Sequence, residues 1–423
     1  MTISGLIVEY NPFHNGHQYH LNISKKITKS EYIIAIMSGQ FVQRGEPALF
    51  NKWYRTEMAL KAGVDIVIEL PTVYSCQSAE LFSYGSIQLL EKIGIIDQLV
   101  FGTEWNNIED LKIISQILAF EPNEYKDYLK KELKKGISFP SARSKALEIY
   151  AKNNHINKVN ISSIIQSPNN ILGIEYLKWI FRFQSKIIPK TIKRIGSHYY
   201  DQNLNTPFSS ATAIRNHILN DRIALKKLEN FLPFSSLDII QKAFKNEFIP
   251  AQLKGMSHSI LSILFRKNIN DLKAFLDIEE GLDSRMIHCL TTNSIEEYID
   301  LVKTKRYTRT RIQRILCHIL LNLRKEDMQF FKENDGIQYV RILGFSNKGR
   351  EILPLLKRKC NLPIITNLSK SYNALNSIQR KMIDFDILAT NLYNIHFLKT
   401  TNYKKNMDFY FSPIIVDREE NFK

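Results

Sequence analysis

Cysteine is scarce in this chain, with four in 423 residues, at Cys76, Cys289, Cys317 and Cys360. They are widely spaced and form no Cys-x-x-Cys, which argues against a disulfide framework and a zinc ribbon. No apolar run approaches the roughly 20 residues needed to cross a bilayer. The first residues read as a strand with no basic stretch ahead of it, so no secretory signal is expected and the cytoplasm is the expected location. Acidic residues are in deficit, 42 against 58 lysines and arginines, which leaves a formal net charge of +16. Such an excess attracts polyanions, of which nucleic acid is the commonest large one; a solubility effect or an anionic membrane surface is the alternative. The hydrophobic and charged fractions, 44% and 24%, are those of a folded globular protein rather than a disordered one. The length suffices for two or three domains.

The richest stretch lies near the start: Gly5-Leu-Ile7-Val8-Glu9-Tyr10-Asn11-Pro12-Phe13-His14-Asn15-Gly16-His17-Gln18-Tyr19-His20. Leu6, Ile7 and Val8 make the short apolar run of a buried strand. Asn11-Pro12 ends it, because proline fixes its own φ and restricts its predecessor. Helical spacing begins near His17. A helix that opens straight after a strand presents backbone N–H groups and a positive dipole end, which suit a phosphate. Gly16 permits close approach of a ligand. His14 and His17 can each donate to phosphate oxygens, and a protonated histidine can offset charge building on phosphorus. A zinc site is the competing reading, but zinc needs a third and usually a fourth ligand, and only His20 stands nearby.

Further strands are predicted at Tyr32 to Ser38, 65–71, 98–104 and 187–192, with helices between them at 52–63 and 78–93. This alternation predicts an α/β fold with a parallel, doubly wound sheet. The segments after the strands repeatedly carry Gly, Ser, Arg and Glu, so the ligand site is expected along the carboxyl edge. Residues 106–154 read as charged helices, and Ser167-Pro-Asn169-Asn170 as the start of another. Ser209-Ser210-Ala-Thr212-Ala-Ile-Arg215 reads as a helix N-terminus that can grip a phosphate, or more plainly as a serine cap followed by an exposed arginine.

His14-x-Gly16-His17 resembles the signature of the nucleotidylyltransferase superfamily and that of class I aminoacyl-tRNA synthetases. The superfamily also carries a late Ser-Ser/Thr-x-x-Arg element, which Ser209 to Arg215 resembles, about two hundred residues downstream. No Lys-Met-Ser-Lys-Ser-type loop is present, which disfavours the synthetases. The longer strings Val8 to His17, Met37-Ser-Gly-Gln-Phe-Val-Gln-Arg44-Gly-Glu-Pro-Ala48 and Pro168-Asn-Asn-Ile-Leu-Gly-Ile-Glu-Tyr176 look like the bacterial tRNA(Met) cytidine acetate ligase family. The resemblance covers most of the chain. It implies a Rossmann-like nucleotidylyltransferase domain and activation of acetate by ATP to acetyl-adenylate. Acetyl transfer to N4 of the wobble cytidine of elongator tRNA(Met) would follow. His14, His17 and Arg215 are then the expected catalytic residues. ATP contacts are expected from residues 7–20, Gly102, Asn169 and Arg194, with support from Ser209 and Ser210. Arg44, Lys52 and Arg55 are possible further contacts. Magnesium is the expected escort of the triphosphate, with Glu69 or Glu104 as candidate helpers.

The expected division is a catalytic domain over 1–221, a helical basic region over 222–330 and a small α/β module over 331–423. Lys303, Lys305, Arg306, Arg309, Arg311 and Arg314 gather around Tyr307, a mixture that fits phosphate contact with base stacking. A solvated helix end is the plainer reading. Residues 338–345 and 363–366 read as strands, with a basic helix opened by Lys348-Gly-Arg350 that is expected to face the same tRNA. The pairs His288-Cys289 and Cys317-His318 diverge on helices, so no metal site is expected. Two other functions compete: adenylylation of a small phosphorylated metabolite, and RNA binding without catalysis.

Overall fold

The structure is a computed structural model that describes residues 1–156, 159–194, 208–220, 224–279, 281–398 and 404–417. The predicted boundary at 221/222 and the stretch 195–199 lie outside the described residues.

Strand β1 (Ile3–Val8) leads into helix α1 (Asn15–Thr28), and β2 (Tyr32–Ser38) follows. The polar segment after β2 folds into a small hairpin, β3 (Phe41–Val42) with β4 (Glu46–Pro47), where only a loop is predicted. Helix α2 (Lys52–Ala62), capped by Asn51, then leads to β5 (Ile66–Leu70). Strands β6 (Gln98–Thr103) and β7 (Ile188–Lys193) complete the part predicted from the alternating pattern. Every residue of β2 and β5 is buried, as expected for strands covered on both faces.

In space the sheet runs β7-β6-β1-β2-β5 through these strands, all parallel. The chain goes outward from β1 to β2 and β5, then crosses back to lay β6 on the other side of β1. The β1/β6 boundary is therefore the point where the winding reverses, and ligands of open α/β sheets bind outside the carboxyl ends there.

The sheet does not stop at β5. Strand β8 (Val340–Ser346) pairs antiparallel with β5, and β9 (Ile364–Ile365) and β10 (Ile414–Val416) pair parallel with β8, giving eight strands in all. The strands expected to form a separate closing module thus extend the central sheet. The reason is burial. All seven residues of β8 are buried, so it needs cover on both faces and partners for its backbone groups, which a two-stranded module cannot supply. Residues between the two halves of the sheet are predominantly helical, as the sequence predicts, and include the Arg309–Leu321 helix whose apolar face is core.

A charged cluster welds this extension to the rest. The Lys52 ammonium lies 2.8 Å from Glu69 and 2.7 Å from Asp408, and Arg341 lies 3.1 Å from Glu69 and 2.6 Å from Asp408. Lys52 and Asp408 are fully buried. Two cations and two anions balance, which is how such charges survive away from water.

Candidate active site

Four segments meet where the winding reverses. They are the β1–α1 loop, the end of β6, the residue after β7, and the start of the Ala211–Asn220 helix, which is linked to the loop by Arg215.

His14 is the N-cap of α1, and its imidazole folds back over the first turn. The Gly16 N–H donates to His14 Nδ1 at 3.0 Å, and the His14 N–H donates to His17 Nδ1 at 3.3 Å. An imidazole nitrogen that accepts from an amide carries no proton. Both rings therefore hold their single proton on Nε2; the His17 ring meets the Pro12 carbonyl, while His14 has no such backbone acceptor among the described residues. The two rings lie against each other at a 32° tilt, with centroids 3.8 Å apart. A Cβ on residue 16 would stand 2.8 Å from His14 Cε1 and 3.0 Å from its Nδ1. Glycine is required here by the folded-back ring.

These histidines are neutral. Burial, then the positive charges of Arg194 and Arg215, push the His14 pKa down to about 3. Burial is also the largest cause for His17, which lies well below its ordinary value with help from His14 and Arg194. Burial and Arg194 bring His20 down to about 4. Neutral histidines supply N–H donors, and the fixed positive charge beside them comes from Arg194 and Arg215.

The expected use of α1 backbone amides is corrected. The Asn15 N–H donates to the Phe231 carbonyl at 3.0 Å, the Gly16 N–H to His14, and the His17 N–H to the His14 carbonyl at 2.8 Å. With those amides taken, donors to an anion must come from side chains. The Asn15 side chain also donates to the Asn230 carbonyl at 2.9 Å, so the helical region is anchored at the mouth of the site.

Arg194 follows β7, its amide donating to the Thr103 carbonyl at 2.9 Å. Its side chain lies across Gly102, where an added Cβ would meet Arg194 Cγ at 3.3 Å. Arg215 donates to the Asn11 carbonyl and to Thr212 Oγ1, each at 3.2 Å, and lies 3.5 Å from Glu46. Ser210 accepts the Ala213 N–H at 3.1 Å, capping that helix, and Ser209 beside it is buried. Asn11 also accepts the Leu49 N–H at 2.7 Å, holding the loop against the hairpin. Tyr10 and Phe13 pack their rings against His17, and Tyr19 against Phe208. Ile7, Val8 and Glu9 carry the strand into the loop; Pro12 and Gln18 complete the expected stretch, Gln18 donating to the Ala62 carbonyl at 3.0 Å.

Other expected contacts have structural tasks. Arg55 is fully buried and donates to the carbonyls of Phe50, Glu9, Ser38 and Gly39, pinning the ends of β1 and β2. Lys52 belongs to the buried cluster. The Asn169 amide donates to Glu104 Oε1 at 2.6 Å, and Glu104 Oε2 accepts the Asn170 N–H at 3.2 Å. Glu69 is held by Lys52 and Arg341. Glu69 is thus held by two cations and Glu104 by two amide donors, and no group of three metal-ligating side chains gathers among the described residues.

The basic cluster of the second half is also more committed than its composition suggests. Tyr307 is only 7% exposed, so its ring belongs to the core. Arg309 pairs with Glu296 and Asp300, and Arg311 donates to the Asp277 carbonyl. Arg306, Lys348 and Arg350 are exposed. A site neighbour that sequence reasoning did not single out is Glu46; it stands in the quoted string around Arg44, but only the fold brings it to Arg215.

A model of the HIGH Nucleotidyl Transferase family matches residues 1–408. A tRNA(Met) cytidine acetate ligase of Thermoanaerobacter sp. (strain X514) is 47% identical, over 93% of this chain and 95% of its own. Another, of Caldanaerobacter subterraneus subsp. tengcongensis, is 44% identical over 98% of this chain and all of its own. The crystal structure of apo Thermotoga maritima TmcAL superposes with a TM-score of 0.94 at 38% identity, covering 99% of this chain and 100% of that one. The same protein bound with alpha-thio ATP superposes at 0.91, with the same identity and coverage. The likeness runs from end to end and is not confined to the histidine loop, and on that ground the chain belongs to the tRNA(Met) cytidine acetate ligase family.

Proposed function

We propose that this chain is an ATP-dependent ligase that joins acetate to N4 of the wobble cytidine of elongator tRNA(Met), by way of acetyl-adenylate. The observation that carries the reading is the close pair of imidazoles His14 and His17, oriented by the hydrogen bonds to their Nδ1 atoms, beside Arg194 and Arg215. In the first step an acetate oxygen attacks the α-phosphorus of ATP and the bond to the β-phosphate oxygen breaks, releasing pyrophosphate. In the second, the cytidine N4 attacks the acetyl carbon, AMP leaves and the nitrogen loses a proton. The first step needs no strong acid or base. It needs an α-phosphate held in line and its charge offset, which neutral N–H donors and two arginines provide in a shielded site. Magnesium carried by the triphosphate would supply further charge, and no residue here is assigned to it.

The tRNA contacts fall to the exposed basic residues Arg306, Lys348 and Arg350, joined by Arg309 and Arg311 if these exchange their carboxylate and carbonyl partners. No described helix is long and apolar enough to cross a membrane, and the cytoplasm, where ATP and tRNA meet, is the proposed location. Incubation with ATP, labelled acetate and tRNA, followed by mass spectrometry of nucleosides, tests the whole. Labelled N4-acetylcytidine is expected. Acetate-dependent pyrophosphate release without that nucleoside would leave the adenylate and reject the acceptor, and the absence of both would reject the ligase.

A further inference from the structure

Beyond the residues expected to touch ATP, we propose that Glu46 is a positioning residue for Arg215, and that the Gly45 turn fixes its place from the helical region. The inference rests on the adenylation reading above. Glu46 begins β4, and its carboxylate lies 3.5 Å from Arg215. Arg215 has two other anchors, the Asn11 carbonyl and Thr212, and neither is charged. Among the described residues Glu46 is thus the carboxylate within ion-pair distance of the cation that must meet the phosphates.

The turn ahead of Glu46 has no slack. Gly45 adopts φ +80°, and a Cβ there would stand 2.3 Å from the Arg314 backbone nitrogen and 2.5 Å from the Gln313 carbonyl carbon. The turn is seated flush on the backbone of the Arg309–Leu321 helix. On its other side, the Gln43 N–H donates to Glu9 at 3.0 Å and the Gln43 side chain to the Gln77 carbonyl at 3.1 Å. The hairpin is therefore clamped between the end of β1 and a helix that opens with the basic cluster. A displacement of that helix must move Glu46, and with it Arg215. An anionic substrate arriving at Arg215 takes over the role of Glu46, so the carboxylate holds the guanidinium in its working direction until the phosphates engage it.

The test is a kinetic double-mutant cycle read by acetate-dependent exchange of labelled pyrophosphate into ATP. Glu46→Ala should lower kcat/KM for ATP about ten-fold, with tRNA affinity and thermal midpoint unchanged. Glu46→Gln, which keeps an oxygen for Arg215, should recover to within about three-fold of wild type. In an Arg215→Ala background, Glu46→Ala should have no further effect, because the group it positions is gone. Gly45→Ala should mimic Glu46→Ala; if it fails to fold, the Glu46 variants still decide. Losses that multiply in the double variant, or a fully active Glu46→Ala, overturn the positioning role while leaving the ligase intact. Absence of exchange in the wild type overturns the adenylation reading, and this role with it.

Discussion

Acidification should unfold this protein through the same histidine geometry that prepares it for phosphate. His14 is 7% exposed and its pKa is pushed down to about 3, whereas an unfolded histidine titrates near 6.5. Below pH 6.5 the unfolded chain binds a proton that the folded chain refuses, so stability falls as pH falls, down to about pH 3. Between pH 7 and pH 5, His14 alone should remove about 2 kcal/mol, from 1.36 kcal/mol per unit acting over about 1.5 units. His17 and His20 act in the same direction. Urea unfolding at pH 7 and pH 5 measures the loss, and comparison of wild type with His14→Gln isolates one residue, since every other titrating group is common to both. The variant should lose about 2 kcal/mol less than wild type between the two pH values. Equal losses in the two proteins would refute the claim that the folded structure holds this ring neutral.

Other expectations follow from particular contacts. Gly16→Ala pushes a methyl group to within 2.8 Å of the His14 ring, and should lower acetate-dependent pyrophosphate release at least ten-fold with little change in thermal midpoint. His17→Ala should abolish adenylate formation and leave tRNA binding, measured by filter retention, within a few-fold of wild type. Lys52→Met leaves Glu69 and Asp408 sharing a single buried cation, Arg341, and should cost about 3–5 kcal/mol of stability in denaturant; a loss below 1 kcal/mol would mean the cluster relaxes or takes up a proton. Arg306→Glu should weaken tRNA binding and flatten its dependence on salt, and an unchanged slope would remove this residue from the interface.

The strand pattern of the first hundred residues was legible because burial on both faces demands continuous apolar runs, and Tyr32 to Ser38 or 66–70 permit few other readings. The candidate site was legible for a related reason. His14, Gly16 and His17 lie within four residues, so local capping geometry alone brings them together. The Ser209 to Arg215 element was legible only by family resemblance, and the contact that gives it meaning, Arg215 to Asn11, spans about two hundred residues. Composition misled at Lys52 and Arg55, which look like ligands of an anion in sequence and are occupied by carboxylates and carbonyls, and at Tyr307, whose expected stacking ring lies in the core.

The chain order by itself determined the alternation of strands and helices, the polar loops at one sheet edge and the excess of positive charge, since these depend on neighbours in sequence. Tertiary structure decided which charges are available. Whether an arginine is a ligand or a clamp depends on which carbonyls and carboxylates fold against it, as at Arg55 and Arg215. It also decided that Val340–Ser346 completes the central sheet, because a strand buried on both faces must find its backbone partners wherever an equally buried edge stands open, here at Ile66–Leu70.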